Sequence, residues 1–287
     1  MSTTILNPNL RDLGGFSVRR VLPALARKTV GPFIFFDHFG PTDLAPGQGV
    51  DVRPHPHVGL ATVTYLFDGA LMHRDSLGSV QRIEPGDVNW MTAGRGIVHS
   101  ERSAAEDRAT GIRMHGLQTW VALPLALEDT IPSFTHVPGA TLPRIDADGA
   151  RIVVVAGHAF GRHAPTPATS DTLYAAVELD AGATLELPAE HEERAIYVAA
   201  GTVELDGLVV AEAQMAVLAG DESVRITAPG GAMVMLVGGA KLDGDRIIWW
   251  NFVASSRERI ERAKEKWRAQ QFGRVAGDSE FIPLPEQ

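Results

Sequence analysis

Short strand-like segments separated by turn signals dominate the sequence between residues 49 and 103. One of them, 61–67, is rich in β-branched and aromatic residues, which favour strands. Turn-forming residues follow at 68–69, 76–78 and 84–87. Evenly spaced short strands with turns of this kind are typical of a β-sandwich or a β-barrel. The sequence therefore predicts an all-β fold for this region.

The second half of the chain repeats this pattern of strands and turns. Strand-like segments recur at 151–155, 172–187, 195–210, 214–226 and 233–237. A chain of 287 residues exceeds a typical domain of about 100–200 residues. Two β-rich domains are therefore expected.

A local echo suggests that the two halves arose by duplication. The Tyr-x-x-x-Gly segment at 65–69 is matched by another at 197–201. Between the halves lies a stretch rich in proline and acidic residues, which is typical of a connection. We predict an amino-terminal domain over 1–125, a connection over 126–149 and a carboxy-terminal domain over 150–287.

The hydrophobic period changes near the carboxy terminus. Ser255, followed three residues later by Glu258, offers a capping box at the start of a helix. The apolar residues that follow recur at helical spacing, and they are Ile260, Ala263 and Trp267. A short helix is therefore predicted over 255–272.

Composition and charge exclude several classes of function. A formal net charge of -9 gives no basic surface of the kind that nucleic-acid binding needs. The chain has no cysteine, so it can form neither disulfides nor thiolate metal ligands. It contains no signal-peptide-like start and no run of about 18 apolar residues. We expect a cytoplasmic protein with no contact to membrane or nucleic acid.

Two pairs of metal-competent side chains, each spaced i, i+2, are the main functional signal. His55 and His57 form the first pair, and His99 and Glu101 the second. On a β-strand this spacing places both members on one face. Two such strands facing each other inside a barrel would converge three imidazoles and a carboxylate, which suit iron, nickel, copper, zinc or manganese. A single histidine usually packs or hydrogen-bonds, but the second pair favours a metal site.

The corresponding positions of the second half carry different residues. Counting from the tyrosine echo places Leu187 and Ala189 where the first pair stands. Aligning the two Ala-Gly dipeptides, at 93 and 219, places Arg225 and Thr227 opposite the second pair. The carboxy-terminal domain is therefore predicted to be free of metal.

The spacing of these motifs resembles the cupin superfamily, and longer runs resemble the pirin family within it. The runs that resemble pirins are 55–66, 73–78 and 86–101. One departure from the general cupin pattern is that Ala61 and Thr62 stand where a metal-binding glutamate is usual. In the pirin-like arrangement Glu101 takes that role.

The resemblance implies a fold and a cofactor. The fold would be two stacked cupin barrels, each a double-stranded β-helix or jelly roll, with the short helix at the carboxy terminus. One divalent transition metal would lie in the amino-terminal barrel, with Fe(2+) as the expected ion and nickel, copper, zinc, manganese or cobalt as alternatives. Its ligands would be His55, His57, His99 and Glu101.

Several residues near the ligand strands are candidates for the wall of the pocket or for contacts to the ligands. They are His73, Met91, Gln118 and Trp120. His73 could instead belong to a hairpin turn held by its own polar side chains. Trp120 could instead belong to the core. Gln118 could hydrogen-bond a substrate oxygen or a metal ligand.

The resemblance implies two classes of function. The first is a quercetin 2,3-dioxygenase-type oxidoreductase, in which a small aromatic substrate chelates the metal and dioxygen cleaves its ring with release of carbon monoxide. There Glu101 would be the catalytic residue that takes the substrate's hydroxyl proton. The second is an iron-dependent regulatory protein that binds a transcription factor or a metabolic enzyme and has incidental oxygenase activity.

Overall fold

The computed structural model describes residues 3–12 and 17–286. In chain order its elements are β1 (Thr4–Leu6), β2 (Asn9–Asp12), β3 (Ser17–Leu22), β4 (Phe33–Leu44), β5 (Asp51–His57), β6 (Leu60–Asp68), β7 (Leu71–Asp75), β8 (Val80–Ile83), β9 (Val88–Thr92), β10 (Ile97–Arg102), α1 (Ala105–Thr110), β11 (Ile112–Ala122), β12 (Ser133–Val137), β13 (Arg144–Ala147), β14 (Ala150–Ala159), β15 (Arg162–His163), β16 (Thr172–Leu179), β17 (Ala183–Leu187), β18 (Glu193–Leu205), β19 (Leu208–Ala211), β20 (Met215–Val217), β21 (Val224–Ala228), β22 (Ala232–Gly239), β23 (Ile247–Trp249), β24 (Phe252–Ala254) and α2 (Arg257–Arg268). Short 3-10 turns lie at Leu125–Leu127 and Gly139–Thr141. The prediction of an all-β fold with a short carboxy-terminal helix is confirmed.

The strands belong to two compact units that are discontinuous in sequence. The first unit contains residues 12, 17, 39–139 and 242–286, and the second contains 3–11, 18–38 and 140–241. Each unit therefore differs from the continuous range predicted from the sequence. Residues near the amino terminus pack with the second half of the chain, and residues near the carboxy terminus pack with the first half. The predicted domain ranges therefore stay a prediction.

The first unit has two larger antiparallel sheets and the two-stranded sheet β23-β24. One has the strand order β5-β10-β7-β8, and the other contains β12-β9-β6-β11 followed by the end of β4. Strand β6 is buried along most of its length, as its run of apolar and β-branched residues predicts. The sheet with the order β5-β10-β7-β8 carries both predicted ligand pairs, on its neighbouring strands β5 and β10.

Helix α2 packs within the first unit. Its apolar residues at the predicted helical spacing, Ile260, Ala263 and Trp267, are buried in a cluster that includes Phe252 of β24. The predicted cap at Ser255 is wrong by one residue. Ser256 is the N-cap and accepts a hydrogen bond from the Arg259 amide, because the Ser255 hydroxyl is engaged by the buried carboxylate of Glu128.

The helix is also shorter than the predicted range 255–272. It ends at Arg268, and Gln270 adopts a φ of 52, which interrupts helical geometry. Among the described residues, no helix is long and apolar enough to cross a membrane.

The second unit is built on one large antiparallel sheet. Its main path runs β1-β20-β18-β22-β16-β14-β13, and the pair β17 and β21 joins it through β18. One core cluster is formed by buried aliphatic residues, and it includes Leu185 and Leu187 of β17 and Ile226 and Ala228 of β21. The antiparallel pair β17–β21 of this unit thus resembles the antiparallel pair β5–β10 of the first, but its buried side chains are apolar.

Candidate metal centre

Three histidines converge between strands β5 and β10. His55 and His57 project to the same side of β5, and the antiparallel register places His99 directly opposite His55. The ring centroids are 4.9 Å apart between His55 and His57, 4.4 Å between His55 and His99, and 5.0 Å between His57 and His99. All three side chains are buried. The i, i+2 spacing and the strand pairing together produce this cluster.

The hydrogen bonds of the cluster leave one nitrogen of each ring free to bind a metal. His55 donates from Nδ1 to the carbonyl of Arg53 at 2.8 Å, so in the neutral ring the lone pair is on Nε2. Nδ1 of His57 and Nε2 of His99 are buried and have no hydrogen-bond partner among the described residues. Buried polar atoms rarely lack partners. Because donor atoms of the three rings lie within 4.8 Å of one another, a single cation could satisfy them all.

The electrostatics keep these imidazoles neutral. Burial lowers the pKa of His55 to about 4. Burial, reinforced by the neighbouring imidazoles, holds the pKa values of His57 and His99 well below the ordinary value. Neutral imidazole is the form that binds a metal, so the lone pairs remain available through the physiological pH range.

Glu101 lies on β10 with His99, but it is outside the group of close donor atoms formed by the three histidines. The group whose ligand atoms all lie within 4.8 Å contains the three histidines and not Glu101. An irregularity in the β5–β10 pairing between His99 and Glu101 places Glu101 opposite Val52. The structure thus brings together three of the four predicted ligands, and the role of Glu101 as the fourth stays a prediction.

The carboxylate of Glu101 instead accepts a hydrogen bond from Thr64, whose Oγ1 lies 3.2 Å from Oε1. Burial raises the pKa of Glu101, although the interactions with His73 and Thr64 oppose that rise. The same threonine hydroxyl lies 2.7 Å from Oε1 of Gln118, the residue opposite it on β11. Glu101 and Gln118 therefore share the single hydrogen of the Thr64 hydroxyl, in a polar network in which Glu101 and Thr64 are buried and Gln118 is half-buried.

Thr64 is not among the site residues predicted from the sequence. The sequence does contain a hint of its role, because Thr64 follows Thr62 by two positions and so lies on the same face of a strand that is otherwise largely apolar. Only the pairing of β6 with β11 shows that this face meets Gln118.

His73 lies beside the cluster, as both readings of it allow. Its Nδ1 is 3.4 Å from Nδ1 of His99, its Nε2 is 3.0 Å from Oδ2 of Asp75, and its ring stacks on Phe134 at a centroid distance of 4.2 Å. The other oxygen of Asp75 accepts the amides of Leu77 and Ser79 in the hairpin turn. The turn thus fixes Asp75, which in turn orients His73 toward His99.

The two remaining candidates differ in their contact with the cluster. Trp120 is buried with its ring edge-on to His57, at a centroid distance of 5.2 Å and an angle of 79°. Met91 is buried in a small apolar cluster with Ala93 and Ile97. Trp120 therefore contacts a predicted ligand directly, whereas Met91 packs against apolar neighbours.

Comparison with known proteins places this geometry in context. Residues 15–121 match the family model described as Pirin, and residues 174–273 match the one described as Pirin C-terminal cupin domain. A pirin-like protein of Caulobacter vibrioides is 50% identical and is aligned over 100% of both chains.

Solved structures share the fold. A crystal structure of quercetin 2,3-dioxygenase from Acinetobacter baumannii is 32% identical, with a TM-score of 0.90 over 100% of this chain and 97% of that one. A bacterial pirin of Escherichia coli in complex with nickel(II) is 18% identical, with a TM-score of 0.66 over 84% of this chain and 100% of that one. The second likeness concerns the fold alone. Together with the family matches, they establish a bicupin fold with one cupin domain in each half of the chain.

Proposed function

The chain belongs to the pirin family, and we propose that it is a dioxygenase that cleaves flavonols such as quercetin at the three-histidine cluster. The observation that carries the proposal is the pair of buried ring nitrogens, His57 Nδ1 and His99 Nε2, that have no hydrogen-bond partner among the described residues. The likeness to a quercetin 2,3-dioxygenase at 32% identity supports this choice of substrate class.

The donor set fits a divalent transition metal. We propose iron(II), held by His55, His57 and His99 with Glu101 as fourth ligand, which would supply a Lewis acid and a redox centre for a chelating substrate and dioxygen. The chain's own contribution is a set of imidazoles kept neutral by burial and held in place by the β5–β10 pairing.

Glu101 is the proposed proton acceptor. A flavonol must lose a hydroxyl proton before it chelates, and a carboxylate with a raised pKa is a suitable base. Burial raises the pKa of Glu101, and the Thr64 hydroxyl holds its carboxylate in place. Gln118, which shares that hydroxyl, would orient a substrate oxygen by hydrogen bonding.

His73 and Trp120 complete the proposed pocket. His73, fixed by Asp75, positions the ring of His99. Trp120 covers His57 with a buried aromatic edge and excludes water from that side of the cluster.

The test compares purified iron-loaded wild type with His57→Ala and Glu101→Ala. Metal content, quercetin consumption, oxygen uptake and carbon monoxide release are measured on the same samples. Both variants should lose metal and at least about 100-fold in turnover, since several kcal/mol of transition-state stabilisation depend on the centre. His136→Ala is the matched control, because His136 bonds Asn89 instead of joining the cluster.

Two outcomes would overturn the proposal. One is full quercetin consumption by either variant when it is free of metal. The other is trace, unsaturable turnover by the iron-loaded wild type together with a protein that co-purifies in fixed ratio, which would favour the regulatory function.

A further inference from the structure

A second cluster of imidazole and carboxylate side chains lies in the second unit. His158 is near the end of β14, Asp171 directly precedes β16, and Glu190 and His191 lie between β17 and β18. Ligand atoms of His158, Glu190 and His191 lie within 4.8 Å of one another. None of these four residues belongs to the histidine cluster of the first unit.

The carboxylate of Asp171 joins the two imidazoles. Its Oδ1 lies 2.8 Å from Nε2 of His158, and its Oδ2 lies 3.1 Å from Nδ1 of His191. The two rings are 4.2 Å apart between centroids. Two nitrogens and two carboxylate oxygens thus converge where three separate segments of the chain meet.

Both ring nitrogens of His191 face acceptor oxygens. Its Nε2 lies 3.0 Å from the carbonyl oxygen of His158, which can only accept, so Nε2 carries a hydrogen. Its Nδ1 faces a carboxylate oxygen of Asp171, which is also an acceptor when ionised. Either a second proton or a metal ion must therefore separate Nδ1 from that oxygen.

The orientation of His191 is the one that metal-binding histidines adopt. Such a residue binds the ion through one nitrogen and donates from the other to a backbone carbonyl or a carboxylate, which fixes its tautomer. The ring of His191 is almost completely buried, with 1% of its side chain exposed, whereas 32% of His158 and 36% of Asp171 are exposed. The ring is thus held rigidly while an ion can enter from solvent.

Glu190 adds a second carboxylate. Its Oε2 accepts the amide of Phe160, in the turn that connects β14 to β15, so the side chain is held over the hairpin that carries His158. Within the described part of the chain, its other oxygen accepts no hydrogen bond and can turn to an ion. The cluster therefore offers two imidazoles and two carboxylates.

We propose that His158, Asp171, Glu190 and His191 bind a divalent zinc-like ion that ties together the ends of β14, β16 and β17. Two imidazoles and two carboxylates suit four-coordinate Zn²⁺. Bond lengths of about 2.0–2.2 Å place neighbouring ligands of a tetrahedral ion about 3.3 Å apart. The separations of 2.8 and 3.1 Å between Asp171 and the two imidazole nitrogens are close to this value. Glu190, whose ligand atom lies within 4.8 Å of both imidazoles, has to turn inward to complete the set. With four protein ligands the site would be structural.

The prediction of a metal-free carboxy-terminal domain concerned other positions. It concerns the residues that match the first cluster, which are Leu187 on β17, Ala189 in the loop after β17, and Arg225 and Thr227 on β21. The proposed site uses His158 and Asp171, which lie outside those strands, and its existence does not depend on the proposed dioxygenase activity.

The test measures zinc bound by the full, tag-free chain after metal removal. Wild type should bind about two equivalents, His57→Ala about one, and His57→Ala combined with His158→Gln close to none. Zinc should also raise the melting temperature of His57→Ala and leave that of the combined variant unchanged. His163→Gln is the matched control, because this exposed imidazole pairs with His158 on β15 but is not a proposed ligand.

The competing state, a second proton on His191, predicts the opposite result. His57→Ala would then bind no zinc at pH 7.5, and His158→Gln would not change the stoichiometry of wild type. Either result overturns the proposal. Glu190→Gln serves as a second variant that removes a ligand without removing the hydrogen-bonded imidazoles, and it should weaken zinc binding at least about tenfold.

Discussion

The strand pair β5–β10 of the first unit and the pair β17–β21 of the second show how one scaffold carries two kinds of interior. Both pairs are antiparallel. In the first, three buried imidazoles face one another, and two of their nitrogens lack hydrogen-bond partners among the described residues. In the second, the buried residues are Leu185, Leu187, Ile226 and Ala228.

The difference shows that strand pairing does not require the histidines. An apolar interior stabilises the pair by burying hydrocarbon, at roughly 25 cal/mol per Å². Buried imidazoles without partners cost free energy instead. The first pair is therefore expected to depend on an ion for part of its stability, whereas the second does not.

The largest expected effect comes from placing one imidazole in the apolar pair. Leu187→His would bury a polar ring without a partner and remove aliphatic packing, so the free energy of unfolding should fall by about 3–5 kcal/mol. Denaturant unfolding measures the loss. Glu186→His is the matched control, since Glu186 is exposed on the same strand and its change should stay within about 0.5 kcal/mol. A loss below about 1 kcal/mol for Leu187→His would show that this interior tolerates imidazole.

The second prediction concerns the pH dependence of the metal-free protein. Burial lowers the pKa of His55 to about 4 from an ordinary value of 6.5. Between these values the unfolded chain takes up a proton that the folded protein does not, so stability is highest above pH 6.5 and falls as the pH drops toward 4.

His55 alone should reduce the free energy of unfolding by up to about 3 kcal/mol across this window. Urea unfolding at a series of pH values, with His55→Leu as the control, measures the slope. The variant should show a shallower slope, and the dependence that remains should come from His57 and His99, whose pKa values burial also lowers. An identical slope in both proteins would show that His55 does not carry it.

The histidine cluster was predictable from the sequence because it depends on pairs of residues that are close together along the chain. Two residues at i, i+2 share a face on any strand, and antiparallel pairing of the two strands completes the cluster. The polar network was not predictable in the same way. Thr64 and Gln118 meet only because β6 pairs with β11, far away in sequence. The cluster around His191 likewise joins three distant segments.

The positions in the second half that match the ligand strands depend on the register assumed for each strand. Leu187 lies at a buried position of β17, but Arg225 lies on the exposed face of β21, and the buried residues there are Ile226 and Ala228. A shift of one residue exchanges the two faces of a strand. The Ala-Gly dipeptide lies in a turn before the strand, and turns that differ in length lose the register.

A third prediction tests how the first unit holds its pocket. Asp75 is buried, accepts two backbone amides in its turn and bonds His73. Asp75→Asn keeps the shape but exchanges an acceptor oxygen for a donor, so stability should fall by about 2 kcal/mol. Thermal unfolding measures the loss. The matched control is Asp180→Asn in the second unit, where the carboxylate is exposed and bonds Arg151 at the surface. Equal effects of the two changes would contradict the assigned role of Asp75.

The smallest expected effect concerns the helix that packs in the first unit. Ser256→Ala removes the N-cap hydrogen bond to the Arg259 amide, so about 1 kcal/mol of local stability should be lost. Hydrogen exchange should show faster exchange for amides of α2 and of β24, which share an apolar cluster, and unchanged exchange in β16 and β22 of the second unit. Ser223→Ala, which removes an exposed hydroxyl that bonds Glu186 in the second unit, is the control. If Ser256→Ala accelerated exchange equally in both units, the helix would not be a local support of the first unit, and the two strand pairs would share one unfolding reaction.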